Sequence, residues 1–306
     1  MRLEELPKRL VVLGGGVVAA EFSHVFSALG AQVYQMVRSN RILREVDVEV
    51  VDRFVEAASH QWNILLERSL VEIRENGDGT VTVVVEHNGE VEEIVADIVL
   101  AATGRRSNSD TLKASSFFDV DSRGFIGTDK YQRVLYNGSP VPGVFALGDV
   151  SSPFQLKHVA NHEARTVQHN LSHSDSFVAS DHRFVPAAVF SNPQIATVGL
   201  SEENARKLGE REGFEVTVKS QNYGDTAYGW AMEDSVGLAK LIARKDTGQL
   251  LGAHLVGEEA SVLIQPLIQA MSFGLGVKDM ARGQYWIHPA LTEVIENALL
   301  GLDVDN

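Results

Sequence analysis

Apolar positions along the chain change their spacing twice, and each change marks a different kind of structure. Residues 9–14 form a short apolar run ending in Gly14-Gly15-Gly16, and residues 17–29 are mostly apolar up to Gly30. A glycine suits the left-handed position just past a helix end, so 17–29 reads as a helix between two strands. Residues 32–37 read as a second buried strand, Asp47 as the cap of a helix running to about His60, and 63–67 as a third strand. This β-α-β-α-β order predicts a parallel sheet with crossover helices. Residues 69–75, 80–87 and 90–96 then alternate apolar and polar around glycine turns, which predicts an antiparallel meander, and 97–102 is another buried strand.

Residues 105 to about 140 are polar and turn-rich and read as a junction. A brief strand, 144–147, ends in Gly148-Asp149, a helix covers 157–171, and 172–182 reads as a linker rich in Ser, His and Asp. The pattern resets at Arg183. Residues 189–198 read as a strand broken by Asn192-Pro193, Ser201 caps a short helix, and 238–243 with 249–256 form a hairpin. Helices are expected over 260–273 and 289–300, the second opened by Pro289. The predicted class is α/β, in three parts: 1–104, 105–182 and 183–306.

Composition narrows the function. With 306 residues the chain is too long for one ordinary core. Its net charge of −14 repels phosphate backbones and anionic lipid, so nucleic acid and membrane surfaces are not expected partners. The sequence has no cysteine, which excludes a disulfide framework, a thiolate zinc site or a thiol nucleophile within it. Residues 1–8 do not read as a signal peptide and no stretch reads as a membrane span, so the expected location is the cytoplasm.

Gly14-x-Gly16-x-x-Ala19 sits between a strand and a helix. Its first glycine permits the turn, the second lets a pyrophosphate approach the backbone, and small Ala19 lets helix and strand pack closely. A Rossmann-like dinucleotide site is expected. The second strand ends at Arg38 with no acid to take a ribose 2′-hydroxyl, and Arg41 and Arg44 follow. Guanidinium groups suit a 2′-phosphate, which favours NADPH. Asp149, after a strand ending in Gly148, could accept from a sugar-like hydroxyl, and the helix after Leu156 aims its amides outward, although a plain loop role explains Asp149 as well. Glu293 could orient His288 for proton transfer, but spacing alone favours a cap with an incidental histidine. His158, His162, His169 and His173 with Glu163 lack a paired metal spacing and read as a solvated face; no metal site is expected.

In order, these pieces resemble the pyridine nucleotide–disulfide oxidoreductases, the class I flavoprotein disulfide reductases. The likeness is carried by Gly14 to Glu21, Arg38 and Arg44, Ala102-Thr103-Gly104-Arg105, Ala146 to Asp149, Pro193 to Gly199, and His288-Pro289 with Glu293. The resemblance implies a Rossmann-like NADPH domain with a β-meander (1–104), a remnant of the FAD-binding domain (105–182) and a C-terminal α+β dimerisation domain (183–306). It implies NADPH contacts at Gly14, Gly16, Ala19, Arg38, Arg44 and Gly104, and a place for Glu21 near the flavin. Gly148 and Asp149 would hold the ribityl chain of FAD, with the backbone of Lys157 and His158 at the flavin's pyrimidine edge. His288, oriented by Glu293, would act as acid–base for the partner's thiol pair in a homodimer formed through 183–306.

The implied electron path runs from NADPH to FAD to a cysteine pair to a small disulfide substrate. The family's first domain, with its own glycine motif and the cysteines, is not in this sequence. Met1 is therefore expected to mark a start at a domain boundary, the FAD site is expected to be incomplete, and the chain alone is expected to be inactive. Val17 stands where relatives carry a bulky aromatic lid. Residues 222–234 and 288–298 look most like the branch that reduces the disulfide of one small thiol. Two alternatives stay open: an NAD-linked dihydrolipoamide dehydrogenase or mercuric reductase-like enzyme of the same fold, and a non-catalytic nucleotide-binding dimerisation module.

Overall fold

The computed structural model describes residues 3–305. The chain divides into two compact units, one made of the residues up to Gly104 with those from Pro186 onward, the other Arg105–Val185. The first unit begins with strand β1 (Arg9–Leu13), helix α1 (Val17–Ala28), β2 (Gln32–Val37), α2 (Val48–Ala58) and β3 (Asn63–Leu66). A meander follows, β4 (Ser69–Glu75), β5 (Val81–His87) and β6 (Glu90–Ala96), before β7 (Ile98–Ala101). β7 returns beside β1, giving a parallel sheet in the order β3-β2-β1-β7. Asp47 caps α2 by accepting from the Glu49 amide at 3.1 Å.

The second unit holds β8 (Arg133–Tyr136), β9 (Ser139–Phe145) and α3 (Lys157–Ser172). The first unit resumes with β10 (Ala187–Val189), β11 (Gln194–Gly199), α4 (Glu202–Glu212), β12 (Val216–Asn222) and α5 (Ala227–Ala231). It ends with β13 (Leu238–Arg244), β14 (Leu250–Gly257), α6 (Ala260–Leu263), α7 (Gln265–Phe273), α8 (Val277–Arg282) and α9 (Glu293–Leu300). Its later strands form an antiparallel sheet in the order β10-β11-β14-β13-β12. One apolar cluster runs from Leu10, Phe26, Phe54 and Trp62 of the parallel half to Val189, Ile195, Leu238 and Val256 of the antiparallel half, so the two halves share a core.

Several expectations are corrected. The last helix starts at Glu293 rather than Pro289, because the amides of Glu293 and Val294 bond three residues back, to Ala290 and Leu291, in tight turns. The stretch 260–273 is two helices, since Pro266 has no N–H for the Val262 carbonyl. The strand read over 189–198 as broken at Asn192-Pro193 is two strands, β10 beginning two residues earlier and β11 beginning just past Pro193. The polar junction contains the β8–β9 hairpin, turned at Asn137-Gly138, both in left-handed conformation. Residues 173–182 are no loose linker: the Ser180 amide donates to the Lys130 carbonyl (2.9 Å) and the Val178 amide to Asn170 Oδ1 (2.8 Å). Strand β12 went unforeseen; it pairs with β13 along its whole length.

Candidate functional site

β1 ends on a turn that only glycine can make. Gly14 has a φ of 143°, and a Cβ there would run into the Ala102 carbonyl beside it. Its amide donates to the Met36 carbonyl at 2.9 Å. Its carbonyl accepts from the Gln35 side-chain amide at 3.1 Å, and Gln35 Oε1 accepts from the Trp62 indole at 3.0 Å. Gly16 is the N-cap of α1, offers no side chain to the first turn, and faces open space on its Cβ side. The first amides of α1 are thus unpartnered by any cap, at the positive end of the helix dipole. Ala19 is fully buried against the turn. This cradle fits a pyrophosphate.

Arg38 and Arg44 are exposed and form no ion pair among the described residues, whereas Arg41 donates to the Arg44 carbonyl at 2.9 Å. They lie on the segment leaving β2, the place at which dinucleotide-binding folds of this type carry a ribose-reading residue. Gly104 has a φ of 124° and lies just past β7, the neighbour of β1. The Glu21 carboxylate accepts from the Phe190 amide at 3.0 Å, which ties α1 to the segment after β10.

His288 and Glu293 are brought together. His288 Nδ1 lies 2.6 Å from Glu293 Oε1, with the imidazole 67% exposed and the carboxylate only 15%. Glu293 Oε2 also accepts from the Ala290 amide at 3.4 Å. A carboxylate can only accept, so Nδ1 carries the hydrogen and Nε2 is left for proton exchange.

In the second unit, Gly148 is buried in left-handed conformation and donates its amide to Glu163 Oε2 at 2.6 Å. Glu163 Oε1 in turn lies 3.0 Å from His182 Nε2. Asp149 accepts from Arg105 at 2.9 Å, both side chains half exposed. Lys157 opens α3 with no side-chain cap and bonds Asn161 at 2.8 Å; His158 follows in that first turn. The Asp149 carboxylate and an α3 start without a side-chain cap are compatible with part of a flavin nucleotide. His169 and His173 stack at 4.3 Å.

Sequence reasoning missed the support of these residues: Gln35 with Trp62, Glu163 with His182, Arg105 on Asp149, and a buried ion cluster around Lys240. The partners in each pair lie far apart in sequence, so spacing holds no trace of them.

A glycine turn heading a parallel sheet, arginines in place of a ribose-binding acid, and an appended antiparallel sheet with an oriented histidine define a dinucleotide-binding α/β protein. The family model described as pyridine nucleotide-disulphide oxidoreductase matches residues 1–164, and the dimerisation-domain model of that family matches 185–299. The chain belongs to the pyridine nucleotide-disulphide oxidoreductase family. It is 52% identical, over 99% of its length, to a mycothione reductase of Mycobacterium tuberculosis. It is 32% identical over 97% to a dihydrolipoyl dehydrogenase of Synechocystis and 32% over 100% to a mercuric reductase of Staphylococcus aureus. A solved HOCl-induced flavoprotein disulfide reductase from Escherichia coli superposes with a TM-score of 0.85 at 25% identity, over 98% of this chain and 66% of that one. The chain spans 64%, 63% and 54% of the lengths of the three curated relatives. Among the described residues no helix is long and apolar enough to cross a membrane.

Proposed function

We propose that this chain is the NADPH-binding and dimer-forming part of a flavin-dependent disulfide reductase whose substrate is mycothione, working in the cytoplasm. The observation that carries the reading is the His288–Glu293 pair, an exposed imidazole aligned by a sheltered carboxylate at 2.6 Å. On this reading Gly14, Gly16 and Ala19 shape the pyrophosphate cradle, Arg38 and Arg44 take the 2′-phosphate, and Gly104 lets the nucleotide pass close to the backbone. Glu21 lies near the flavin, Gly148 and Asp149 hold its sugar-like chain, and the first amides of α3, at Lys157 and His158, face its ring edge. Bound flavin supplies the link between two-electron hydride donation and thiol–disulfide exchange. Glu293 holds the Nδ1 proton of His288, and Nε2 moves a proton at the sulfur of the neighbouring subunit's cysteine pair. Mycothione is favoured over lipoamide or mercuric ion by the 52% identity against 32% for each of those relatives.

Calorimetric titration tests the cofactor. The chain should bind NADPH more tightly than NADH, and Arg38→Ala or Arg44→Ala should each weaken NADPH about tenfold or more while sparing NADH, the loss of one charge-assisted contact. Equal affinities in the unaltered chain overturn NADPH selectivity. For the substrate, the chain is joined to the part of the matched mycothione reductase that it does not span. NADPH oxidation is then followed with mycothione, lipoamide and mercuric ion in turn; turnover with either of the last two but not mycothione overturns the substrate assignment.

A further inference from the structure

Lys240, on β13, places its ammonium in the interior among three carboxylates. Nζ lies 3.0 Å from Asp47 Oδ1, 3.0 Å from Glu49 Oε2 and 2.7 Å from Glu202 Oε2, one partner for each N–H. Asp47 is held from other sides too. Oδ1 accepts from the Glu49 amide, and Oδ2 accepts from the Glu202 amide at 3.0 Å. One carboxylate therefore caps α2, receives the first turn of α4 and neutralises Lys240. Burial works against both charges, yet the three carboxylates hold the lysine above its usual pKa, and the Glu202 amide, then Lys240, hold the Asp47 carboxyl below its own, so both stay ionised.

The arginine segment ends on this cluster. It is pinned near its middle by the Leu43 amide on the Gly15 carbonyl, 2.7 Å. Its far end is Asp47, three residues beyond Arg44. Arg41, Arg44, Asp47 and Lys240 line one cavity of about 400 Å³. Arg44 has no ion-pair partner of its own among the described residues, so the backbone sets where its side chain starts and no neighbouring charge competes for its guanidinium.

We infer that Lys240 is a positioning residue for cofactor choice: by clamping Asp47 it fixes the place at which the arginine segment meets a 2′-phosphate. This rests on the NADPH reading above. The antiparallel sheet thereby sets the selectivity of a nucleotide site that it does not itself contain.

The test is calorimetric titration of NADPH and NADH into the unaltered chain, Lys240→Met, Lys240→Arg and the double variant Lys240→Met/Asp47→Asn, which leaves Asp47 no charge to strand. Lys240→Met should lose NADPH affinity on the order of tenfold, comparable to removing one arginine contact, with NADH affinity changed little. Lys240→Arg, which keeps the charge, should retain the preference, and the double variant should lose it. A merely structural lysine would lower the melting temperature and weaken both nucleotides alike. An unchanged NADPH-to-NADH ratio in Lys240→Met, or in the double variant should the single one not fold, overturns the inference. If the unaltered chain shows no preference, the NADPH reading itself falls, and that outcome is distinct.

Discussion

The indole N–H of Trp62 donates to Gln35 Oε1 at 3.0 Å, and the other end of the same amide holds the Gly14 carbonyl at 3.1 Å. Both side chains are buried, so the Gly14 turn hangs on a polar bridge set inside an apolar core. Gln35→Leu would strand the indole N–H and release the turn. A buried donor left without an acceptor costs about 1–3 kcal/mol. We expect a lower denaturation midpoint at unchanged m-value together with weaker NADPH binding, read by urea titration and calorimetry; an unaffected midpoint would show that the bridge carries no load.

Gly14 and Gly16 set a structural glycine beside one proposed to bind. A methyl at position 14 collides with the Ala102 carbonyl at a φ that L-residues avoid, whereas position 16, with a φ of −95°, faces nothing. Gly16→Ala should therefore melt within a few degrees of the unaltered chain and yet bind NADPH on the order of tenfold more weakly, because its methyl occupies the approach to the pyrophosphate. Gly14→Ala should fail to fold or lose several kcal/mol. Full NADPH affinity in Gly16→Ala would remove that turn from the binding site.

Much of the first sheet is legible from residues close together in sequence. Asp47 and Ser201 announce their helices because a cap acts within three residues, and Gly30 stops α1 through its own backbone. The pair His288 and Glu293 was legible in spacing only as one option, and its 2.6 Å contact depends on turns at 290–294 that hide the true start of α9. β12 escaped because its residues, Val-Thr-Val-Lys-Ser-Gln-Asn, are mostly polar and are held by pairing with β13 rather than by an apolar stripe. The Lys240 cluster joins residues up to 193 positions apart and could not be read locally at all.

Acid should destabilise the fold through His254. It lies on β14 opposite Lys240, fully buried. Nε2 is 2.9 Å from the Leu200 carbonyl, so it carries the hydrogen, and Nδ1 has no partner among the described residues. Burial holds its pKa below the usual histidine value. Below about pH 6.5 the unfolded chain takes up a proton that the folded chain refuses. Unfolding free energy should then fall as pH drops, by up to about 1.4 kcal/mol per unit for this one group. Asp47, with a lowered pKa, adds a loss in the same direction only near pH 4 and below. Urea unfolding between pH 7.5 and 5.5 should show a slope that His254→Gln reduces; equal slopes would assign the acid sensitivity elsewhere.

The final helix cannot supply a dimer contact through its own stripe. Ile295 and Leu299 of α9, and Leu291 in the turn before it, are all buried within their own unit. Exposed apolar side chains stand elsewhere in the same part of the chain: Phe273 at 76%, Tyr285 fully open and Ile287 at 74%, the last next to His288 in sequence. Large apolar side chains standing in water mark a surface made for contact. If His288 serves a neighbouring subunit, exposed Ile287 next to it must lie where that subunit sits, and an obligate interface of this kind buries on the order of 2,000 Å² or more. Light scattering at low micromolar concentration should therefore give twice the chain mass. Phe273→Asp with Ile287→Asp should give a monomer, since two charges would be driven into an apolar contact, and should leave the core and NADPH binding untouched because neither side chain is buried within the protomer. A monomer mass for the unaltered chain would sink the dimer and, with it, the action of His288 across subunits.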